Sequence, residues 1–273
     1  MHSGHTIPFR RDIQGLRGLA IALVMLAHAR IPGFAGGFVG VDVFFVLSGY
    51  LITGLLVRER LLTGEIRYSR FLARRLRRLL PAMLVMLVTV LVLATLLLSA
   101  YEMRMQSGSF VYAATWTSNF FFALSKFDYF AALQAKDLFL HTWSLGVEEQ
   151  YYIVWPWLVA LSFAFLRSGS SVSKRKKPLL YLLTIVFAFS LGLCLHWSEY
   201  GPLLSFYMMP ARGWQFAMGA AVFIWFQNFG ASKAKKESRP ASTLSNVLIG
   251  AAGILLIIGS ATLLNSELVY PGL

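Results

Sequence analysis

Ionisable residues set in apolar sequence are the first candidates for chemistry, because a charge inside a membrane is costly and marks function by default. Arg17 and His28 share one apolar run, and Asp42 follows Gly36-Gly37-Phe38-Val39-Gly40-Val41. Glu148 and Glu149 open another run, Arg212 a third, and Arg74, Arg75, Arg77 and Arg78 stand just before Leu79-Leu80-Pro81. Histidine titrates near neutrality and so suits general-base work. A carboxylate beside it, from Asp42, Glu148 or Glu149, would fix its tautomer and raise its basicity. Guanidinium groups grip phosphate bidentately, so the four arginines, with Arg17, suit a phosphorylated ligand. Simpler readings stand beside these. Arg17 could snorkel, His28 could end its helix beside Arg30, and Asp42 could cap a helix start. The arginines could mark topology and touch lipid headgroups.

The elements that must position these groups are membrane helices. Of 273 residues, 57% are hydrophobic and only 14% charged, against about a quarter charged in soluble domains. The net charge of +13 therefore speaks of membrane topology rather than of nucleic acid. One cysteine, Cys194, excludes an intrachain disulfide and a cysteine metal cluster. Apolar runs near the 20-residue spanning length fall at 13–31, 38–57, 79–100, 145–166, 179–198, 211–228 and 244–264, with Pro81 placed to start the third. Basic residues gather before the first run (Arg10, Arg11), between 58 and 78, between 167 and 178, and between 230 and 240. All four segments lie inside only if the aromatic but polar stretch 109–124 dips into the membrane and returns. The expected fold class is all-α, a polytopic transmembrane helix bundle with about seven crossings and one re-entrant segment, its N-terminus cytoplasmic and the end of this chain external.

On this topology Arg17 and His28 lie on one face of the first helix, about 16 Å apart along its axis, Arg17 near the cytoplasmic surface and His28 toward the outside. Asp42, the glutamates and Arg212 share the outer level; Arg212 could balance the acids. Glu148 and Glu149 diverge by about 100°, so they cannot both face one site, and which one does stays open. Glycines at 36, 37, 40, 49, 213 and 219 suit close helix approach. Ser48 resembles a nucleophile, yet no G-x-S-x-G elbow, H-E-x-x-H pair or phosphate-cradling glycine loop is present. A cationic inner mouth and an outer His/Asp/Glu cluster suggest an anionic cytoplasmic donor and an external acceptor. A proton-linked transporter, or an inactive scaffold, are the readings from other classes.

Four motifs carry a resemblance. Asp12-Ile13-Gln14-Gly15-Leu16-Arg17-Gly18-Leu19-Ala20 leading to His28, Gly40-Val41-Asp42-Val43-Phe44-Phe45-Val46-Leu47-Ser48-Gly49-Tyr50, the Arg74 to Pro81 run, and Trp143-Ser144-Leu145-Gly146-Val147-Glu148-Glu149-Gln150-Tyr151-Tyr152 together resemble acyltransferase family 3. The resemblance implies one acyltransferase transmembrane domain over 1–273 that lacks its last helices, with no SGNH-type esterase domain and its Gly-Asp-Ser nucleophile. It implies transfer of an acyl group, usually acetyl, from cytoplasmic acyl-CoA to a hydroxyl of an envelope glycan such as O-antigen, exopolysaccharide or peptidoglycan, in a bacterial inner membrane. His28 would be the general base, with a covalent acyl-histidine as the less favoured variant. Arg17 and an R-x-x-R pair, Arg74/Arg77 or Arg75/Arg78, would bind the donor; Trp143 and Arg212 would lie on the acceptor side. No metal, no permanently bound cofactor and no nucleic acid are implied; acetyl-CoA enters as donor substrate. Gln215 departs from the glutamate that similar sequences often carry.

Overall fold

The computed structural model describes residues 10–124, 137–164, 172–226 and 243–264, and every regular element among them is helical. In chain order the helices are α1 (Arg11–His28), α2 (Val39–Thr63), α3 (Tyr68–Leu97), α4 (Ala100–Ala114), α5 (Ser118–Leu124), α6 (Trp143–Ala164), α7 (Val172–Tyr200), α8 (Pro202–Tyr207), α9 (Met209–Phe226) and α10 (Thr243–Leu263). Single 3₁₀ turns lie at Ala35–Phe38 and Leu140–Thr142. Four helical stretches, Ala35–Thr63, Tyr68–Leu97, Lys177–Tyr200 and Ser245–Leu263, are long and apolar enough to cross a membrane. The remaining expected crossings coincide with α1, α6 and α9, of 18, 22 and 18 residues.

Two expectations about local structure change. The third apolar run does not begin at Pro81: α3 starts at Tyr68 and carries Pro81 inside it, so the whole arginine run is already helical. The ring deletes only the bond to the carbonyl four residues back. The 109–124 stretch is a helix, a break and a helix rather than one segment. Ser99 and Glu102 form a reciprocal capping box that starts α4, and Trp116, at φ 57°, breaks the chain before α5.

The chain divides into two compact units. The first, Met1–Leu47 with Ala231–Leu268, contains α1, the 3₁₀ turn at 35–38, the start of α2, and α10. Its glycines are spacers. A Cβ on Gly37 would run into the Leu23 carbonyl, one on Gly40 into the Ala20 carbonyl, and one on Gly36 would stand 2.6 Å from the Ser260 carbonyl oxygen. Removing the Cβ is what lets the turn lie against α1 and α10.

The second unit, Ser48–Gly230 with Val269–Leu273, is built round α6. Helices α5, α7 and α9 pack on it, and α8 closes against α5 and α7. Its core holds Ile52, Leu56, Phe71, Phe122, Tyr151, Trp155, Phe216 and Ile224, all nearly inaccessible. Tyr151 stacks on Phe216 with ring centroids 4.0 Å apart and on Trp155 at 5.2 Å. Gly49 permits this packing, since a Cβ there would overlap the Phe216 backbone, and a Cβ on Gly213 would crowd the Ser190 hydroxyl at 3.1 Å.

Candidate functional site

In the first unit, His28 ends α1 and remains exposed. Its Nδ1 lies 2.8 Å from the Val24 carbonyl oxygen. A carbonyl only accepts, so Nδ1 carries a proton, and in the neutral ring the lone pair is on Nε2. Nδ1 is thus held by the helix's own backbone. Arg17 lies on the same helix, half-buried, its guanidinium carbon 6.0 Å from the Phe44 ring centroid. Asp42 occupies the first turn of α2 and is half-buried, where a carboxylate meets the positive end of the helix dipole.

At the start of α1, Arg10 Nε donates to Asp12 Oδ1 at 2.9 Å, and this bond holds the Asp12 carboxyl down at about 2.

In the second unit a polar cluster forms inside the helices. Glu148 accepts from the hydroxyls of Ser48 and Tyr152, both through Oε1. The Ser48 and Tyr152 hydroxyls are themselves 3.2 Å apart. Arg75, four residues beyond buried Phe71 and so on the same face of α3, lays its guanidinium over the Tyr152 ring at 4.5 Å and near the Phe71 ring at 5.8 Å. Phe71 meets Tyr152 edge to face. One turn on, Thr53 accepts from the Trp155 indole N–H at 2.8 Å.

The two glutamates occupy different environments. Glu148 has the hydroxyl partners; Glu149 is 5% exposed with its Oε1 unpartnered among the described residues. The arginines also separate. Arg75 turns inward, Arg74 is exposed with Nη2 3.8 Å from Glu59 Oε2, and Arg77 and Arg78 are exposed. Sequence reasoning missed Tyr152 and undervalued Ser48. The signal for the first was its i, i+4 spacing from Glu148.

Arg212, 1% exposed, donates from Nε to the Phe206 carbonyl at 2.9 Å and lies 4.8 Å from the Phe206 ring and 5.8 Å from the Trp143 ring. Trp143 packs on Phe206 and Tyr207. Burial pushes the Tyr207 hydroxyl up to about 12, with Arg212 opposing. Both expected acceptor-side residues therefore sit in a packed aromatic box.

The α6 start is held by α5 through a reciprocal amide pair. Asn119 Nδ2 donates to Gln150 Oε1 at 3.2 Å, and Gln150 Nε2 donates to Asn119 Oδ1 at 2.8 Å. Before α6, Asp137 Oδ1 accepts from the Phe139 amide at 2.8 Å. Burial raises that carboxyl above its usual range, against Ser109 and the Phe139 amide. Among the described residues, no three His, Cys, Asp or Glu side chains are grouped to hold a metal.

Residues 10–271 match the acyltransferase domain of acyltransferase family 3. The chain is 38% identical over 217 residues to a protein of Komagataeibacter xylinus named a membrane-bound transacylase, BcsY, covering 79% of this chain and 51% of that one. It is 41% identical over 144 residues to a Staphylococcus aureus protein named as an O-acetyltransferase, covering 53% and 24%. Against the peptidoglycan O-acetyltransferase OatA of Listeria monocytogenes it is 37% identical over 145 residues, covering 53% and 23%. The chain thus spans about half the length of the first relative and a quarter of the others. No solved structure matches it.

Proposed function

The chain belongs to acyltransferase family 3, and on that premise we propose that it transfers an acyl group, acetyl first of all, from acyl-CoA to a hydroxyl of an envelope glycan. The observation that carries the catalytic assignment is the His28 geometry: Nδ1–H bound to Val24 leaves an exposed Nε2 lone pair, the form a general base requires. Nε2 takes the proton of the acceptor hydroxyl as its oxygen attacks the thioester carbonyl. The tetrahedral oxyanion collapses, the carbon–sulfur bond breaks, and the thiolate leaves and takes up the proton. Asp42, of the same unit, is the electrostatic partner proposed for the imidazolium.

Donor phosphates bind the arginines of α3, Arg74, Arg75, Arg77 and Arg78; Arg17, in the first unit, stays a separate proposal as a donor-binding cation. Arg75/Arg78 is the preferred R-x-x-R pair, because Arg75 is the member that faces the polar cluster. Glu148 and Glu149 are the carboxylates of that unit. Arg212 and Trp143 shape the acceptor side as a rigid aromatic wall.

The topology proposed with this function has seven crossings, α1, α6 and α9 joining the four longest apolar helices. Helices α4 and α5, 15 and 7 residues long, measure about 22 and 10 Å, each short of the roughly 30 Å hydrocarbon layer. Their lengths and the break at Trp116 support a re-entrant pair. The basic segments support a cytoplasmic N-terminus, in the bacterial inner membrane of this proposal.

The test is to incubate membranes bearing the chain, or its His28→Ala variant, with radiolabelled acetyl-CoA and host envelope glycan. Label entering glycan only with His28 present supports the proposal. Equal labelling by both overturns His28 as the base, and labelling by neither overturns transfer by this chain to that acceptor.

A further inference from the structure

Arg75 and Glu148 stand on different helices, and the structure joins them through one side chain. The Tyr152 ring carries the Arg75 guanidinium on its face at 4.5 Å, and its hydroxyl donates to Glu148 Oε1. Phe71 fixes the ring edge to face at 6.4 Å. Ser48 donates to the same glutamate oxygen and contacts the tyrosine hydroxyl at 3.2 Å. Tyr152 is 3% exposed and Ser48 6%, Glu148 is half-buried, and a carboxylate withdrawn even partly from water depends on its hydrogen-bond donors. Tyrosine supplies both functions at once: an aromatic face for a cation and a donor at the far end of the same rigid plane.

We infer that Tyr152 is a positioning residue, its ring seating Arg75 for the donor and its hydroxyl, with that of Ser48, aiming Glu148. The inference rests on the acyl-transfer reading and adds to it a residue that touches neither donor nor acceptor. Ring and hydroxyl make separable contributions. Tyr152→Phe keeps the platform under Arg75 and removes the donor to Glu148. Tyr152→Leu removes both.

The experiment measures kcat for transfer, KM for acetyl-CoA, and equilibrium affinity for desulfo-CoA, which binds but cannot carry an acyl thioester. The wild-type chain is compared in membranes with Tyr152→Phe, Tyr152→Leu, Ser48→Ala, Glu148→Gln and the Tyr152→Phe/Glu148→Gln double variant. Tyr152→Phe should lower kcat about 10-fold or more while KM and desulfo-CoA affinity stay within about twofold. Tyr152→Leu should lower kcat similarly and weaken desulfo-CoA binding about 5- to 10-fold. The double variant should be no slower than Glu148→Gln alone, since both act through one carboxylate. Unchanged kcat in Tyr152→Phe overturns the hydroxyl's role. Unchanged desulfo-CoA affinity in Tyr152→Leu overturns the platform. Additive losses in the double variant overturn the link to Glu148. A wild-type chain that neither binds nor transfers overturns the acyl-transfer reading and this inference with it, whereas a working wild type beside unaffected Tyr152 variants overturns the inference alone.

Discussion

Backbone rather than a carboxylate sets the proton on His28, and the same economy recurs at other residues: groups are held by what their own helix offers. Arg75 extends this across helices, because a planar guanidinium can lie flat on the Tyr152 ring and still present N–H groups outward. Arg75→Lys keeps the charge but loses the plane, so desulfo-CoA affinity should fall about 5- to 10-fold, against little change in Arg77→Lys; equal effects would count against the inward assignment. Asp137 makes a pH prediction. Burial raises its folded-state value, so the fold binds that proton more tightly than the open chain does. This contribution is present at low pH and is lost as pH rises through the raised value. Asp137→Asn, which keeps an acceptor for the Phe139 amide, should leave melting unchanged or slightly raised at pH 8, whereas Asp137→Ala should lose about 1 kcal/mol with the acceptor. Asp12 has the opposite sign. Its depressed value means that stability is present above its ordinary range, near 4, and fades as pH falls toward 2. The pair is exposed, so only fraying of the first turn of α1 should follow, seen as lower amide protection factors in acid, a pH dependence abolished in Asp12→Asn.

At the scale of elements, glycine decides how closely α2 lies against its neighbours. Gly49→Ala would push a Cβ into the Phe216 backbone. Backbone cannot step aside as a side-chain tip can, so a loss of about 1–3 kcal/mol is expected, read as a lower melting temperature in detergent. Gly192→Ala, in α7 with nothing within 4 Å, should be neutral or mildly stabilising. These sites were legible as small residues in apolar runs, but not which of them face a backbone. The α5–α6 amide pair was not legible at all. Asn119 lies in the aromatic but polar stretch 109–124, and its partner lies 31 positions on. Pro81 misled for a related reason. Proline favours a first turn, yet helix propensity on both sides carries α3 through it.

For the whole molecule, the arrangement of charge makes a topology prediction. In a Cys194→Ala background, a cysteine placed at Arg70 should react with a membrane-impermeant maleimide only from the cytoplasm, and one at Tyr101 only from outside. Labelling of both from one face would remove the proposed crossing of α3. What the sequence determined by itself is the class and the chemistry's ingredients: a helical membrane chain of acyltransferase family 3 with its arginines, histidine and glutamates in a recognisable order. Composition and spacing suffice for the helical membrane class, because hydropathy and helical period act over neighbouring residues; the family rests on the resemblance of the four motifs. The tertiary structure decided which glutamate receives hydroxyls, which arginine turns inward, and that Tyr152 lies between them. Periodicity states which residues share a face of one helix, but the rotation of that face toward its neighbours is set by packing. Ser48 and Tyr152 are 104 positions apart, and only tertiary packing brings their helices into hydrogen-bonding range.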